Sequence, residues 1–234
     1  MKIGLFTDPH YSNTIEPSEN RMHSLSYQKI KEAMECFQKE NVDLVICLGD
    51  LTDDCVDIND NALALENIIR LIKSYDIKFY SLMGNHDYQS FTREEFDYIS
   101  RGAYPPFMLE TKNNILIFLD CNYQDDERPY VKRNVDWTNT YLPTEQLKKL
   151  ENVIKSDKDI YVFSHQSIDN EVDINHIVRN SERIREIIRQ GNTKMVIQGH
   201  YHKGHDTIID GIKYHTLRAM CEGKENFYEI LTIS

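Results

Sequence analysis

Six short apolar runs punctuate the chain: Ile3–Thr7, Leu44–Leu48, Phe79–Met83, Ile115–Leu119, Ile160–Ser164 and Met195–Gln198. Their length, β-branched content and polar bounds predict strands buried on both faces. Between them, apolar positions recur at helical spacing over about Leu25–Gln38, Ala62–Ser74, Glu145–Ile154 and Glu182–Arg189. Thr92-x-x-Glu95 predicts a capping box opening a further helix, and Thr144 is placed to cap the helix after Pro143. Two hairpins are expected. Phe107–Thr111 turns through Lys112–Asn114 into Ile115–Leu119, and Thr207–Ile209 turns at Asp210-Gly211 into Ile212–Leu217. A last strand is expected at Phe227–Ile233. Strand–helix alternation of this kind predicts an α/β fold with a largely parallel sheet and right-handed crossovers. At 234 residues, one domain over 1–234 is expected. Asn122–Tyr141 is the one long irregular piece, and loops of that length are usually functional or mobile.

The chemistry gathers where the strands stop. The first strand ends in Asp8-Pro9-His10, the second in Gly49-Asp50 and the third in Gly84-Asn85-His86-Asp87. Later strands end in Ser164-His165 and Gly199-His200-Tyr201-His202. Sites in open α/β sheets form beyond the carboxyl ends of the strands, so five ends deliver Asp, Asn and His to one edge. Asp8 and His10, two apart on an extended segment, are expected on one side of the pleat, and His200 and His202 share that spacing. Asp50 has two oxygens with which to bridge a pair of ions. Each motif alone has a plainer reading: Asp and Asn favour turns, and isolated histidines often only pack. Their joint placement, each at a strand end, favours a dinuclear metal site. Oxygen and imidazole donors without thiolate suit Mn, Fe, Zn or Co, and argue against a structural zinc site.

Charge and cysteines narrow the setting. There are 27 Lys and Arg against 38 Asp and Glu, a net charge of -11, so duplex nucleic acid is an unsuitable main partner. Five scattered cysteines without a CxxC pair read as reduced thiols of a cytoplasmic protein. No apolar stretch reaches membrane-spanning length, and Met1–Asp8 runs directly into a strand, leaving no room for a signal peptide. Oligomeric state is not legible.

The series Asp8-x-His10, Gly49-Asp50, Gly84-Asn85-His86-Asp87, His165 and Gly199-His200-x-His202 resembles the signature of the calcineurin-like metallophosphoesterases. That resemblance implies a four-layer αββα sandwich, two central mixed β-sheets flanked by helices. It further implies that Asp8, His10, Asp50 and His202 hold one ion, while Asp50, Asn85, His165 and His200 hold the other. His86 would contact the phosphoryl group or protonate the leaving oxygen, with Asp87 orienting it or merely stabilising a turn. A finer likeness joins Asp8–Asn13, Arg21, Leu48–Asp53, Gly211–Leu217 and Glu222 to the manganese-dependent ADP-ribose/CDP-alcohol diphosphatase branch, which favours Mn. The chain departs from that branch at His10, where Gln is common.

The expected activity is hydrolysis of a small, nucleotide-like phosphodiester or pyrophosphate by attack of a metal-bound hydroxide. A phosphomonoesterase or protein phosphatase, and a non-catalytic metal-binding scaffold, are the alternatives. No Gly-x-Ser-x-Gly elbow supports a serine hydrolase. Substrate contacts are expected from Tyr11 and Asn13, from Tyr123, Arg128 and Arg133 in the 122–141 loop beside Tyr130, Lys132 and Trp137, and from Gln166–Val178. His23 and His176 read as surface or packing residues, His215 as a strand position, and His205 as a possible neighbour of the metals.

Overall fold

The computed structural model describes residues 1–12, 21–53 and 58–234. Strands β1 (Lys2–Phe6), β2 (Leu44–Cys47) and β3 (Lys78–Ser81) alternate with helices α1 (His23–Lys39) and α2 (Ile58–Lys73), then α3 (Asn85–Ser90) and α4 (Arg93–Ile99). There follow β4 (Met108–Glu110), β5 (Asn114–Leu119), α5 (Thr144–Val153), β6 (Asp159–Ser164), a 3-10 turn (Ile174–His176) and α6 (Ser181–Ile188). The chain ends through β7 (Thr193–Gln198), β8 (His205–Ile209), β9 (Ile212–Thr216) and β10 (Glu229–Thr232). No helix among the described residues is long and apolar enough to cross a membrane.

Two mixed sheets result, in the orders β10-β1-β2-β3 and β4-β5-β6-β7-β9-β8. Within each sheet the inner strands run parallel, and the antiparallel β10, β4 and β8 lie at the edges. The period-two alternation of strand side chains explains why the apolar runs are unbroken. Ile3, Leu5, Leu44 and Ile46 of one sheet meet Leu116, Phe118, Tyr161, Phe163 and Ile197 of the other. The intervening residues turn outward. Phe6, Val45 and Phe79 bury against Ile30, Met34, Phe37 and Ile68 of α1 and α2, and Ile160, Val162 and Val196 against Leu150, Ile184 and Ile187 of α5 and α6. Helix, sheet, sheet, helix is the four-layer sandwich expected.

Local expectations fared unevenly. The Thr92 capping box forms in both directions, Glu95 N donating to Thr92 Oγ1 at 3.2 Å and Thr92 N to Glu95 Oε2 at 2.9 Å. Thr144, in contrast, is not a cap. Helix α5 begins on it with Pro143 at the N-cap, and Glu127 from the long loop accepts from Thr144 N at 3.2 Å and Thr144 Oγ1 at 2.5 Å. A carboxylate from outside the helix thus meets its positive end.

His215 ties the two sheets together. From β9 its Nδ1 meets Asp206 of β8 and its Nε2 lies 2.9 Å from Glu229 Oε2 of β10. The Glu229 contact, supported by Asp206, raises its pKa. A folded-state pKa above the unfolded one stabilises the fold below the unfolded value, and that contribution fades as pH rises through the folded value. Partly exposed pairs contribute on the order of 1 kcal/mol. His215→Gln is therefore expected to lower Tm by about 2–4 °C at pH 6 and by less at pH 9. A deficit independent of pH, read by calorimetry, would contradict the ion-pair account.

Candidate metal centre

The carboxyl ends of β1, β2, β6 and β7 open on one edge, and the chain leaves them in uncommon conformations. Asp8 (φ 50°), His10 (φ 46°), Asp50 (φ 50°) and His200 (φ 63°) all adopt the left-handed region. Such backbone costs of order 1 kcal/mol or more per residue and clusters where function demands it. Asp8 and His10 therefore do not share an extended pleat. Two left-handed residues fold the segment onto β2 instead, with Asp8 N donating to Gly49 O (3.1 Å) and His10 N to Asp50 O (3.0 Å).

Asp8, Asp50, His165 and His202 are each fixed on one side and leave one atom for the centre. Asp8 Oδ2 accepts from Thr7 Oγ1 (2.5 Å) and His200 N (3.0 Å), while the buried Oδ1 has no hydrogen-bond partner among the described residues. Asp50 Oδ1 accepts from His86 N at 2.8 Å, leaving Oδ2 3.6 Å from His10 Nε2 and 3.5 Å from His165 Nε2. His165 Nδ1 donates to Leu48 O at 3.0 Å, which turns Nε2 inward. His202 Nδ1 lies 3.1 Å from Glu222 Oε1, and His10 Nδ1 lies 3.4 Å from Asp53 Oδ2. Histidines held through their outer nitrogen, as His165 and His202 are, are the usual support of a metal ligand.

Two donor sets emerge, sharing Asp50 Oδ2. In the first, His10 Nε2 and His202 Nε2 lie 3.3 Å apart, and Asp8 Oδ1 lies 3.7 and 3.5 Å from them. In the second, His165 Nε2 lies 3.3 Å from Asn85 Oδ1, and Asp50, His165 and His200 bring donors within 4.8 Å of one another. Atoms about 2.0–2.2 Å from a common ion are separated by roughly 3.0–3.6 Å, longer than most hydrogen bonds. The buried His200 Nε2 also has no hydrogen-bond partner among the described residues. These residues fit two divalent cations.

Electrostatics agree. Burial opposes charge on Asp8 and Asp50, yet neighbouring imidazoles outweigh it: His10 and His202 hold Asp8 well below the carboxylate range, and His165 and His86 lower Asp50. Against the same burial, Asp50 carries His165 up to about 9, and Asp8 carries His202 up to about 12. Burial and His165 instead keep His200 well below its ordinary value. The cluster demands positive charge, which protons or metal ions can supply.

Two glycines make the close approach possible. A Cβ on Gly84 would fall 2.1 Å from Asp50 Oδ1 and 2.7 Å from Asp50 N. Gly49 sits at φ +116°, and a Cβ there would lie 2.6 Å from His165 Nδ1.

Other expected site residues are placed differently. Asp87 does not orient His86, because adjacent residues on a helix point about 100° apart. Its buried carboxylate accepts from Leu51 N (3.1 Å), Thr52 N (3.0 Å) and Gly84 N (3.0 Å), binding two strand-end loops together. Burial, with Asp50 nearby, pushes its pKa up to about 6. Asp53 holds His86 instead, with Oδ1 2.7 Å from Nδ1. Tyr11 is buried in the helix-facing core, its ring 5.9 Å from that of Tyr27, because the bridge to Thr52 turns it away from the cavity. Asn13 lies outside the described residues. The Tyr123 hydroxyl accepts from Arg93 Nη2 at 3.1 Å and lines a separate cavity. Arg128 is exposed on Asp126 at 2.6 Å, and Arg133 serves through its backbone, donating to Gln89 O at 3.0 Å. Neither lines the metal cavity.

That cavity has a volume of about 470 Å³ and is lined by Asp50, Asn85, His86, His200 and His202 together with Arg21, Trp137, His176 and Lys203. His176, expected to be a surface or packing residue, has its ring 4.9 Å from that of His200. His23 is buried beneath the first donor set, Nδ1 donating to His10 O at 2.9 Å. His205 faces Glu171 at 3.6 Å, outside the cavity. Thiol chemistry is nearer than the sequence implied. Cys221 brings its sulfur within 4.8 Å of His10 and His202, because Cys221 N donates to Asp8 O at 3.0 Å as the chain returns past β1. Glu222 arrives with it, and Lys29 Nζ pins the segment through Met220 O (2.6 Å) and Gly223 O (2.9 Å).

Comparison with known proteins gives a consistent picture. The family model described as calcineurin-like phosphoesterase matches residues 1–204. A dimetal phosphatase from Danio rerio superposes with a TM-score of 0.84 at 19% identity, over 98% of this chain and 91% of that one. A putative 5'-nucleotidase from Staphylococcus aureus gives 0.61 at 13% identity, over 100% of this chain and 51% of the other. The protein TT1561 of Thermus thermophilus gives 0.57 at 10%, over 93% and 89%. No curated protein matches. At these identities the likeness to solved structures is one of fold.

Proposed function

The chain belongs to the calcineurin-like phosphoesterases, metal-dependent hydrolases of phosphoric esters, and from that premise we propose that it cleaves a small, nucleotide-like phosphodiester or pyrophosphate. The observation that carries the reading is Asp50 Oδ2, placed 3.6 and 3.5 Å from the inward nitrogens of His10 and His165. Asp8, His10, Asp50 and His202 would hold one ion, and Asp50, Asn85, His165 and His200 the other, with Mn favoured. When bound, such ions neutralise phosphoryl charge and bring the pKa of a coordinated water towards neutrality.

The chain's own groups supply the rest. Asp53 fixes the His86 ring through Nδ1, so that Nε2 can hold or deliver a proton at the leaving oxygen. Glu222 and Leu48 O orient His202 and His165. Arg21 and Lys203 on the cavity wall suit the charge of a second phosphate or a phosphate oxygen. Depth also favours a small substrate: Asp8, His10 and His165 are at most 1% exposed.

Hydrolysis of bis(p-nitrophenyl) phosphate with Mn²⁺ is expected to exceed that of p-nitrophenyl phosphate in kcat/KM. The reverse order would favour a phosphomonoesterase. Absence of turnover on both, with metal bound, would favour a scaffold.

A further inference from the structure

The metal cavity is lopsided. Arg21, Lys203 and Glu222 give it charge, whereas Trp137, His176 and Tyr201 form an aromatic wall. The Trp137 ring centroid lies 5.3 Å from that of His176 and 5.7 Å from that of His200, and His176 in turn meets Tyr201 edge-on at 5.3 Å. The indole also forms the wall of a second cavity of about 170 Å³, with Asn85, His86, Gln89 and Val135. It therefore divides two spaces, both of which reach His86 and Asn85.

Trp137 is 39% exposed, so part of the indole stays open to solvent. Its loop is nonetheless pinned. The Tyr130 hydroxyl shares its proton between Asp136 O (3.0 Å) and Asn139 O (3.1 Å), and Val135 N donates to Gln89 Oε1 at 3.3 Å. A rigidly presented, half-open aromatic face beside a cavity is suited to stacking, which for a base on an aromatic side chain amounts to about 1–3 kcal/mol.

We infer that Trp137, backed by His176, is a specificity-determining residue that stacks on a planar aromatic group, a nucleobase or an aryl ring, carried by the substrate next to the phosphorus facing His86. This rests on the phosphoesterase reading above. It assigns the substrate's aromatic part to the 122–141 loop, while that loop's arginines take no part.

Trp137 is the chain's only tryptophan, so indole emission reports this wall alone. Adding adenosine monophosphate to the Mn²⁺-loaded protein is expected to quench that emission saturably, and glycerol phosphate to do so far less. In the hydrolysis assay, Trp137→Ala is expected to weaken inhibition by adenosine monophosphate about tenfold while metal content stays at the parental level. The preference over glycerol phosphate should largely disappear, and Trp137→Phe should restore most of it. Equal quenching by the two ligands, or an undiminished preference in Trp137→Ala, would overturn the assignment. Failure of the function reading is separately visible: a protein that hydrolyses no ester can still be titrated by fluorescence, and that titration alone then decides the stacking.

Discussion

Asp50→Asn is expected to cut turnover of a phosphodiester by about 10³-fold and to reduce metal content below two ions per chain. The reason is geometric. Asp50 Oδ1 is already committed to His86 N at 2.8 Å, so Oδ2 is the atom that faces both donor sets. An amide has the same shape but replaces one oxygen with a donor and removes the negative charge. Either orientation fails: the amide nitrogen confronts the cations or the His86 N–H. The surroundings cannot compensate, since Asp8 Oδ2 is occupied by Thr7 and His200 N, and Asp87 is engaged with three backbone amides. Elemental analysis beside the hydrolysis assay checks both parts, and undiminished turnover in Asp50→Asn would sink the two-ion account.

His86→Ala should separate catalysis from metal binding. His86 lines the cavity and has a ring nitrogen within 4.8 Å of donor atoms of His10 and Asp50, but its Nδ1 is held by Asp53. Removing it is expected to lower kcat by about 10²–10⁴-fold, the range for a proton-transfer group, with both ions retained. The backbone N–H that supports Asp50 survives the substitution, which is why metal content should hold. Loss of an ion together with activity would make His86 a structural element of the centre instead.

How much of this was legible beforehand differs by the range of the interaction. Strands β1, β2, β5 and β6 were readable because both faces of each are buried, so that Ile3 and Leu5 look inward while Phe6 looks outward within a single apolar run. The donor series was readable because parallel strands must end together. Supporting residues were harder. Asp53 lies three positions past Asp50, yet nothing local says that it rather than Asp87 meets His86. That follows from the direction in which α3 leaves Gly84. Glu222 and Cys221 reach the site through a return of the chain past β1, pinned by Lys29 from 191 residues away. In the polar loop, Arg128 and Arg133 were expected to contact substrate, with Trp137 only beside them. Only the hydrogen bonds of Tyr130 and Gln89 decide which of them faces the metals.

The central claim, two ions sharing one carboxylate, is tested most directly by crystals soaked in Mn²⁺ with data collected at an anomalous wavelength. Two peaks are expected about 3.5–4 Å apart on either side of Asp50 Oδ2. One should contact Asp8, His10 and His202, and the other Asn85, His165 and His200. A single peak, or peaks that do not touch Asp50, would contradict it.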